Sequence, residues 1–477
     1  MSLIDQLNGI LADLQGAWTE SALMLGGIAV LILGLIKSNS ILTKALFLIV
    51  LLIGFYLNLS NVLSGEILSD AVSLSGQTAT FGSLFLMVAS LLLLFKRGAE
   101  HITEYHFFIL SMLAGSLFMM KANSLLIIYL SIELVSFSSY ILTNFSFKKQ
   151  GFEASIKYLL FGAICSAVML FGLGMIYGST GTFLVSEWSS ETFNALFPQV
   201  GFVLLLVGIF FKISIAPAHL WVPATYQEAP ADATAFMSIV PKLAALVLLK
   251  RIFDLQIFVS DHWVYSLVLG LGILTIIVGT LGAFRQRNAR RMISFGAIAH
   301  SGFLLPFALI QSSTAYESFW YYSVVYAVMN MAAFYLLDMY ERKGIDEIDD
   351  YKQTSKSVWV GATFSLILVS LVGLPPLAGF TAKLFQFTTL WEGYSSFGNS
   401  QMLWYLIVSV IATVGSLFFY LRIPREIFLS KSEDTQSINL NLSTKILATL
   451  FCIVLLLLFF VPQMVMEAQQ LLNNVHE

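Results

Sequence analysis

Fourteen apolar runs, following one another with short polar breaks, constrain this 477-residue chain more than any motif does. They lie near 19–36, 45–60, 78–95, 106–120, 123–145, 154–178, 198–222, 231–249, 263–284, 292–311, 317–340, 357–390, 401–421 and 446–465. All but the longer one at 357–390 have the ~15–25-residue length at which a helix crosses the hydrocarbon core of a bilayer. In lipid only helices and closed barrels satisfy every backbone N–H and C=O, and runs this long are too long for barrel strands. The expectation is an all-α, polytopic membrane protein of about 14 transmembrane helices. A soluble globule fails on composition, because 58% hydrophobic and 11% charged residues cannot build a water-facing surface. The opening stretch, Met1–Trp18, carries Asp5 and Asp13 and no basic residue. It is expected to be a short tail leading into a retained span, not a secretory signal, which needs a positive start.

The basic residues set the orientation. Eighteen of the 25, from Lys37 to Lys445, stand in loops after odd-numbered runs, and only Lys121, Lys250 and Arg251 stand after even-numbered ones. By the positive-inside rule both termini face away from the cytoplasm. The remaining four, Lys157, Lys212, Lys242 and Lys383, fall inside runs. A net charge of −3, spread along the chain, argues against nucleic acid and leaves the bilayer as the dominant surroundings. Cys165 and Cys452 sit in separate apolar runs and form no CxxC pair, and the six histidines show no metal-ligand spacing. No iron–sulfur cluster, haem or structural metal is expected in this chain.

Two of the runs are interrupted. Pro217, Pro223 and Pro230 fall within one stretch of fourteen residues, between Lys212 and Lys242. A proline removes a backbone donor and frees carbonyls that lipid cannot satisfy, so such a break survives only inside protein or beside trapped water. Burying a lysine near the bilayer centre costs about 2.5–3.5 kcal/mol on the insertion scale, which points to a task, and the natural task is moving a charge. In SLVGLPPLAGFTAKLFQF, Gly373, Pro375, Pro376 and Gly379 break a second run shortly before Lys383. Broken helices at corresponding places in two halves are the sequence signature of a transport site. Runs four to eight and nine to thirteen would be two five-helix repeats, the broken helix fourth in each. An odd helix count inverts the second repeat. The expected divisions are 1–105, 106–255, 256–428 and 429–477. The lysine precedes the first break and follows the second.

Glu133, in LLIIYLSIELVSFSSYIL, has mostly apolar residues for two turns on either side. A buried carboxylate keeps its charge only with a partner, and Lys212 is the expected one. Movement of either helix would then switch proton release, whereas a static pair would only fix packing. Lys242 follows Pro241 in an apolar run. As a carrier it must lose its proton, which arginine cannot do. His300, two turns past Arg290 and Arg291, is open to two readings: a relay between lysines, or a histidine bonded to a neighbouring carbonyl. His219 is placed to satisfy carbonyls at the first break. Lys157 lies one turn inside its run and is either functional or snorkelling to the surface. Glu20 is expected at the interface. Ser294, Ser301, Tyr326, Asn330 and Thr381 could hold water or glue helices together.

The motifs SIEL at 131–134 with Tyr140, EASIKY at 153–158, Phe211-Lys212 with PAHLWVP at 217–223, Ala235-Phe236 with Pro241-Lys242, AIAHSG at 297–302 and GLPPLAGF at 373–380 with Lys383 run from about 105 to 425. On these residues the chain resembles the antiporter-like, proton-translocating subunits of respiratory complex I, and most closely the subunit N group of bacterial NADH:quinone oxidoreductase. The long lateral helix of the subunit L group is not expected, and lysine at 383 stands where the subunit M group tends to carry glutamate. The resemblance implies a proton path through Glu133, Lys212, Lys242, His300 and Lys383. One departure stands out. After Trp221 the family commonly reads PDAYEGAP, and here it is PATYQEAP, so Ala224 removes an acid that Glu228 or Asp232 would have to replace.

No Walker loop, no GxGxxG after a strand and no redox ligand set occurs in the chain. It has parts for moving protons and none for driving them. The resemblance names the source: NADH oxidation and quinone reduction in partner subunits of the membrane arm and beyond. NADH, FMN, iron–sulfur clusters and quinone would be bound there, with no cofactor in this chain. The implied setting is a bacterial cytoplasmic membrane. Two other readings remain: a subunit of a multisubunit sodium/proton antiporter, and a non-pumping membrane scaffold.

Overall fold

The computed structural model describes residues 16–36, 40–60, 65–67, 70–95, 101–258, 262–354, 358–430 and 442–474. Asp5, Asp13, Lys37, Lys96, Arg97, Lys356 and Lys431 lie outside the described residues. Among the described residues eighteen α-helices follow in order: α1 Trp18–Ile36, α2 Ser40–Ser60, α3 Gly76–Leu91, α4 Ile102–Lys121, α5 Leu125–Thr143, α6 Lys149–Thr180, α7 Leu196–Ile213, α8 Val222–Glu228, α9 Ala231–Asp254, α10 Trp263–Phe284, α11 Ala289–Leu309, α12 Ser313–Glu341, α13 Val358–Val372, α14 Ala378–Phe397, α15 Ser400–Tyr420, α16 Arg422–Leu429, α17 Leu442–Phe460 and α18 Gln463–Asn474. A small antiparallel hairpin, β1 Gly65–Ile67 with β2 Val72–Leu74, precedes α3. Short polar residues start the helices where the sequence breaks: Ser75, Ser124, Asn288 and Ser312 each accept a backbone N–H of the first turn.

Every expected apolar run contains helix, yet length and apolarity single out twelve membrane-crossing helices among the described residues. A bent pair, 444–460 with 463–472 at 88°, makes a thirteenth. The shortfall from fourteen has a physical cause. The long run at 357–390 divides at Gly373 into α13, only 15 residues long, and α14, which carries Lys383 and Glu392.

Two compact units divide the chain. The first comprises Met1–Ile213, Val240–Val259 and Ala468–Glu477; the second comprises Ser214–Ile239 and Ser260–Glu467. In the first unit α1 packs on α2 and α4, α4 on α5, α5 on α6 and α6 most extensively on α7. Gly172 lets α6 and α7 meet: a Cβ there would lie 2.5 Å from the Gly201 carbonyl oxygen. The outer faces of α1 and α2 expose Leu25, Leu35, Ile41 and Leu52. Lipid is as apolar as these side chains, so helix packing rests on close contact and polar pairing inside.

Glu20 has a partner within the fold. It is buried in the first turn of α1 and pairs with the equally buried Lys121, 2.7 Å away at the end of α4. Each charge suits the helix dipole where it sits. Lys250 pairs with Asp254 at 2.9 Å, and Arg251 donates to the carbonyls of Met120 (2.8 Å) and Ala122 (3.1 Å). All three exceptions to the basic asymmetry are thus engaged by protein groups.

In the second unit α10 packs on α11 and α15, α12 on α14, α14 on α15 and α17, and α8 on α11. Of the polar residues expected to hold water or join helices, Tyr326 is the one whose bond joins two helices. Ser294 and Ser301 donate to carbonyls one turn back in their own helix, and Asn330 to that of Tyr326. Tyr326 itself reaches the Ser238 carbonyl at 2.9 Å.

Candidate functional site

Lys212 ends α7 one turn before the first break and is buried. Its ammonium has no hydrogen-bond or ion-pair partner among the described residues. Instead it stands 5.2 Å from the ring of Phe211 and 5.8 Å from each of the rings of Tyr140 and Tyr158. Aromatic faces attract a cation without giving it a counter-charge or fixing its proton. Tyr158 is held by Ser139 at 3.1 Å, and its ring meets Tyr140 edge-on at 4.6 Å.

The expected ion pair between Glu133 and Lys212 does not form in this structure. Glu133, half-buried on α5, accepts a hydrogen bond from the Ser166 hydroxyl of α6 and acts on Lys212 only through space. The reason is the register of two antiparallel helices, which sets Ser166 against Glu133 and Ser155 against the Tyr140 carbonyl. Gly162 completes that register, because a Cβ there would fall on the Tyr140 hydroxyl and 3.0 Å from the Phe211 ring. Gly162→Ala is therefore expected to push two walls away from Lys212 at an overpacking cost of about 1–3 kcal/mol. The complex should still assemble but translocate protons several-fold more slowly per NADH oxidised.

Lys242 lies mid-helix in α9 and is buried, as are Val240, Leu243, Ala244 and Leu246 of the same helix. Pro241 frees the carbonyl four residues back, at Met237, and the Tyr226 hydroxyl takes it at 3.3 Å. The carbonyl freed by the proline is thus satisfied by a side chain. Lys157 is elsewhere: it is 65% exposed on α6 and paired with Glu153 at 2.5 Å.

Both breaks share a backbone plan that the sequence only hinted at. Ser214 (φ 70°) and Gly373 (φ 86°) each take the left-handed conformation three residues before a proline, Pro217 and Pro376, that follows a cis bond. Glycine adopts that φ freely, whereas for serine it costs about 1–2 kcal/mol. The first break is held by Thr275, whose hydroxyl accepts the Ala216 N–H at 2.9 Å. The second is held by Lys383, whose ammonium donates to the Val372 carbonyl at 2.8 Å and stands 4.7 Å from the Phe303 ring. Gly379 allows the turn, since a side chain there would strike the Ser370 carbonyl. Lys383 is seven residues after Pro376, and seven residues after Pro217 stands Ala224. The two breaks are alike in backbone and unlike in charge.

His300 faces Tyr322, with Nδ1 2.9 Å from the phenolic oxygen, and its ring lies 5.5 Å from that of Tyr326. A phenol can pass or accept a proton through the same bond that orients the imidazole. Sequence reasoning missed Arg290, which it treated as an edge marker. Its guanidinium is buried, forks onto both oxygens of Glu341 and donates to the carbonyls of Ala229 and Gln227. These are the carbonyls left open where α8 stops at Pro230. The doubled arginine in QRNARRM carries no signal that one of the pair turns inward.

Comparison with known proteins places the chain. Residues 122–418 match the family model described as "NADH:quinone oxidoreductase/Mrp antiporter, TM". The NADH-quinone oxidoreductase subunit N of Nitrosomonas europaea is 31% identical over 419 residues, covering 84% of this chain and 83% of the relative. Subunit N 2 of Chloroherpeton thalassium is 30% identical over 385 residues, covering 77% and 74%. In fold the chain is similar to one in respiratory complex I from Thermus thermophilus (TM-score 0.77, 24% identity, 94% of this chain and 99% of that one). It is also similar to one in the Mrp complex of Dietzia sp. (0.80, 19%, 96% and 98%). With the family model spanning more than half of the chain and these relatives covering most of it, the chain belongs to the NADH:quinone oxidoreductase/Mrp antiporter membrane family, in its subunit N branch.

Proposed function

We propose that this chain is a proton-translocating membrane subunit of an NADH:quinone oxidoreductase, driven by electron transfer in partner subunits. The observation that carries the reading is Lys212: a buried amine held by three rings, with a carboxylate close by but parked on another residue. Such an amine can take a proton and give it up, because no fixed counter-charge holds the ammonium form. In the first unit the path uses Glu133, Lys212 and Lys242. In the second it uses His300 and Lys383. Lys157, paired on the outer surface of α6, is left out of the buried set. Moving one charge against 100 mV costs about 2.3 kcal/mol. That energy comes from NADH oxidation and quinone reduction in membrane-arm and peripheral partners, which hold the FMN, the iron–sulfur clusters and the quinone. The membrane is a bacterial cytoplasmic membrane, with both termini on its non-cytoplasmic side.

The test is proton uptake by inverted vesicles, normalised to assembled complex. Lys212→Ala should abolish most NADH-driven uptake while NADH oxidation by the peripheral subunits persists. Uptake at the wild-type ratio would favour a scaffold. Sodium-for-proton exchange without NADH, lost in the same variant, would favour the antiporter reading. Orientation is tested separately. Single cysteines near Asp5 and near Asn474 should both react with an impermeant thiol reagent added from the non-cytoplasmic side, and one near Asn288 should not. Labelling of the two ends from opposite sides would require an odd number of spans.

A further inference from the structure

Glu133 has two partners within its range, one neutral and one charged. Ser166 donates to its carboxylate from the facing turn of α6, and the Tyr129 hydroxyl stands 3.5 Å from the same serine oxygen. Lys212 lies on α7, beyond the rings of Tyr140 and Tyr158. Ser166 is half-buried, one turn after Gly162, which admits Tyr140 to the lysine, and next to the buried Cys165. This face of α6 therefore governs both groups that α5 presents to Lys212.

We propose that Ser166 is a positioning residue: its hydroxyl holds the Glu133 carboxylate off Lys212, so that the pair has a separated state as well as a joined one. A hydrogen bond from a hydroxyl to an ionised carboxylate is strong enough to compete with an ion pair that has to be desolvated, yet weak enough to be broken on each cycle. Without it the carboxylate is freer to join Lys212, and a joined lysine keeps its proton. This inference rests on the reading of Glu133 and Lys212 as a proton-transfer pair.

The experiment compares Ser166→Ala, Ser166→Thr, Ser166→Val, Glu133→Gln and the Ser166→Ala/Glu133→Gln double variant in the whole complex, in inverted vesicles. Proton uptake per NADH oxidised is read, with assembly measured separately. Threonine and valine have nearly the same shape and differ by the hydroxyl. Ser166→Val and Ser166→Ala should each lower uptake about tenfold, the ratio corresponding to about 1.4 kcal/mol, and Ser166→Thr should retain most of it. The double variant should pump no worse than Glu133→Gln alone, since the serine acts only through the carboxylate. Equal uptake by the threonine and valine variants, or a loss at Ser166 that adds in full to that of Glu133→Gln, overturns the proposal. Glu133→Gln pumping like wild type would instead overturn the proton-transfer reading itself, and Ser166 with it.

Discussion

Lys242→Arg is expected to assemble into the complex and to lose most of its NADH-driven proton translocation. The argument is one of chemistry at fixed charge. Lys242 is buried mid-helix, just after Pro241, in a segment whose freed Met237 carbonyl is already taken by Tyr226. That carbonyl is therefore satisfied by Tyr226. A counter-ion at this position would tolerate arginine, which stays charged at every accessible pH; a carrier must shed its proton, and arginine cannot. Translocation should fall at least about tenfold, equivalent to about 1.4 kcal/mol on the barrier, with Lys242→Ala similarly impaired. The measurement is again uptake by inverted vesicles, normalised to assembled complex. An arginine variant that pumps like wild type would show that the position requires only positive charge.

The second large effect is structural. Arg290→Ala is expected to destabilise the second unit by about 3–5 kcal/mol, because it strands a largely buried Glu341 carboxylate and uncaps two backbone carbonyls at once. Removing Glu341 as well should recover part of the loss, since the orphaned charge goes with it. Lysine at 290 keeps the charge but cannot form the planar fork, so it should rescue only partly. Thermal unfolding of the detergent-solubilised complex, together with the yield of assembled complex, checks the series. An alanine variant within about 0.5 kcal/mol of wild type would place Arg290 among ordinary surface residues. Its local consequence is that the C-terminal end of α8 loses its anchor.

The two predictions differ in how much of each residue could be read before the fold was known. Lys242 announced itself, because a lysine beside a proline in an apolar run has a cost that is local to its sequence neighbours. The membrane class, the helical runs, the two breaks and the buried lysines were legible for the same reason. Hydrocarbon penalises a charge or a freed carbonyl wherever it stands, so these features are written in short windows. Membership of the family followed from the same residues, and the comparisons bear it out.

What only the tertiary structure decided is who partners whom. Glu133 was expected on Lys212 and sits on Ser166, because the antiparallel register of α5 and α6 brings the serine's hydroxyl to the carboxylate. Glu20 is paired with Lys121, because α1 and α4 pack so that a helix start meets a helix end. Gly162 and Arg290 gave no signal at all: one matters for the ring that occupies its missing side chain, the other for carbonyls about sixty residues earlier in the chain. The break expected in the long run at 357–390 is present, and the structure places its start at the left-handed turn of Gly373, where α13 ends after only 15 residues. Sequence by itself determined which groups lipid could not tolerate alone. Pairing is a property of distances between helices, and these are set by side-chain packing across the fold, which no short window contains.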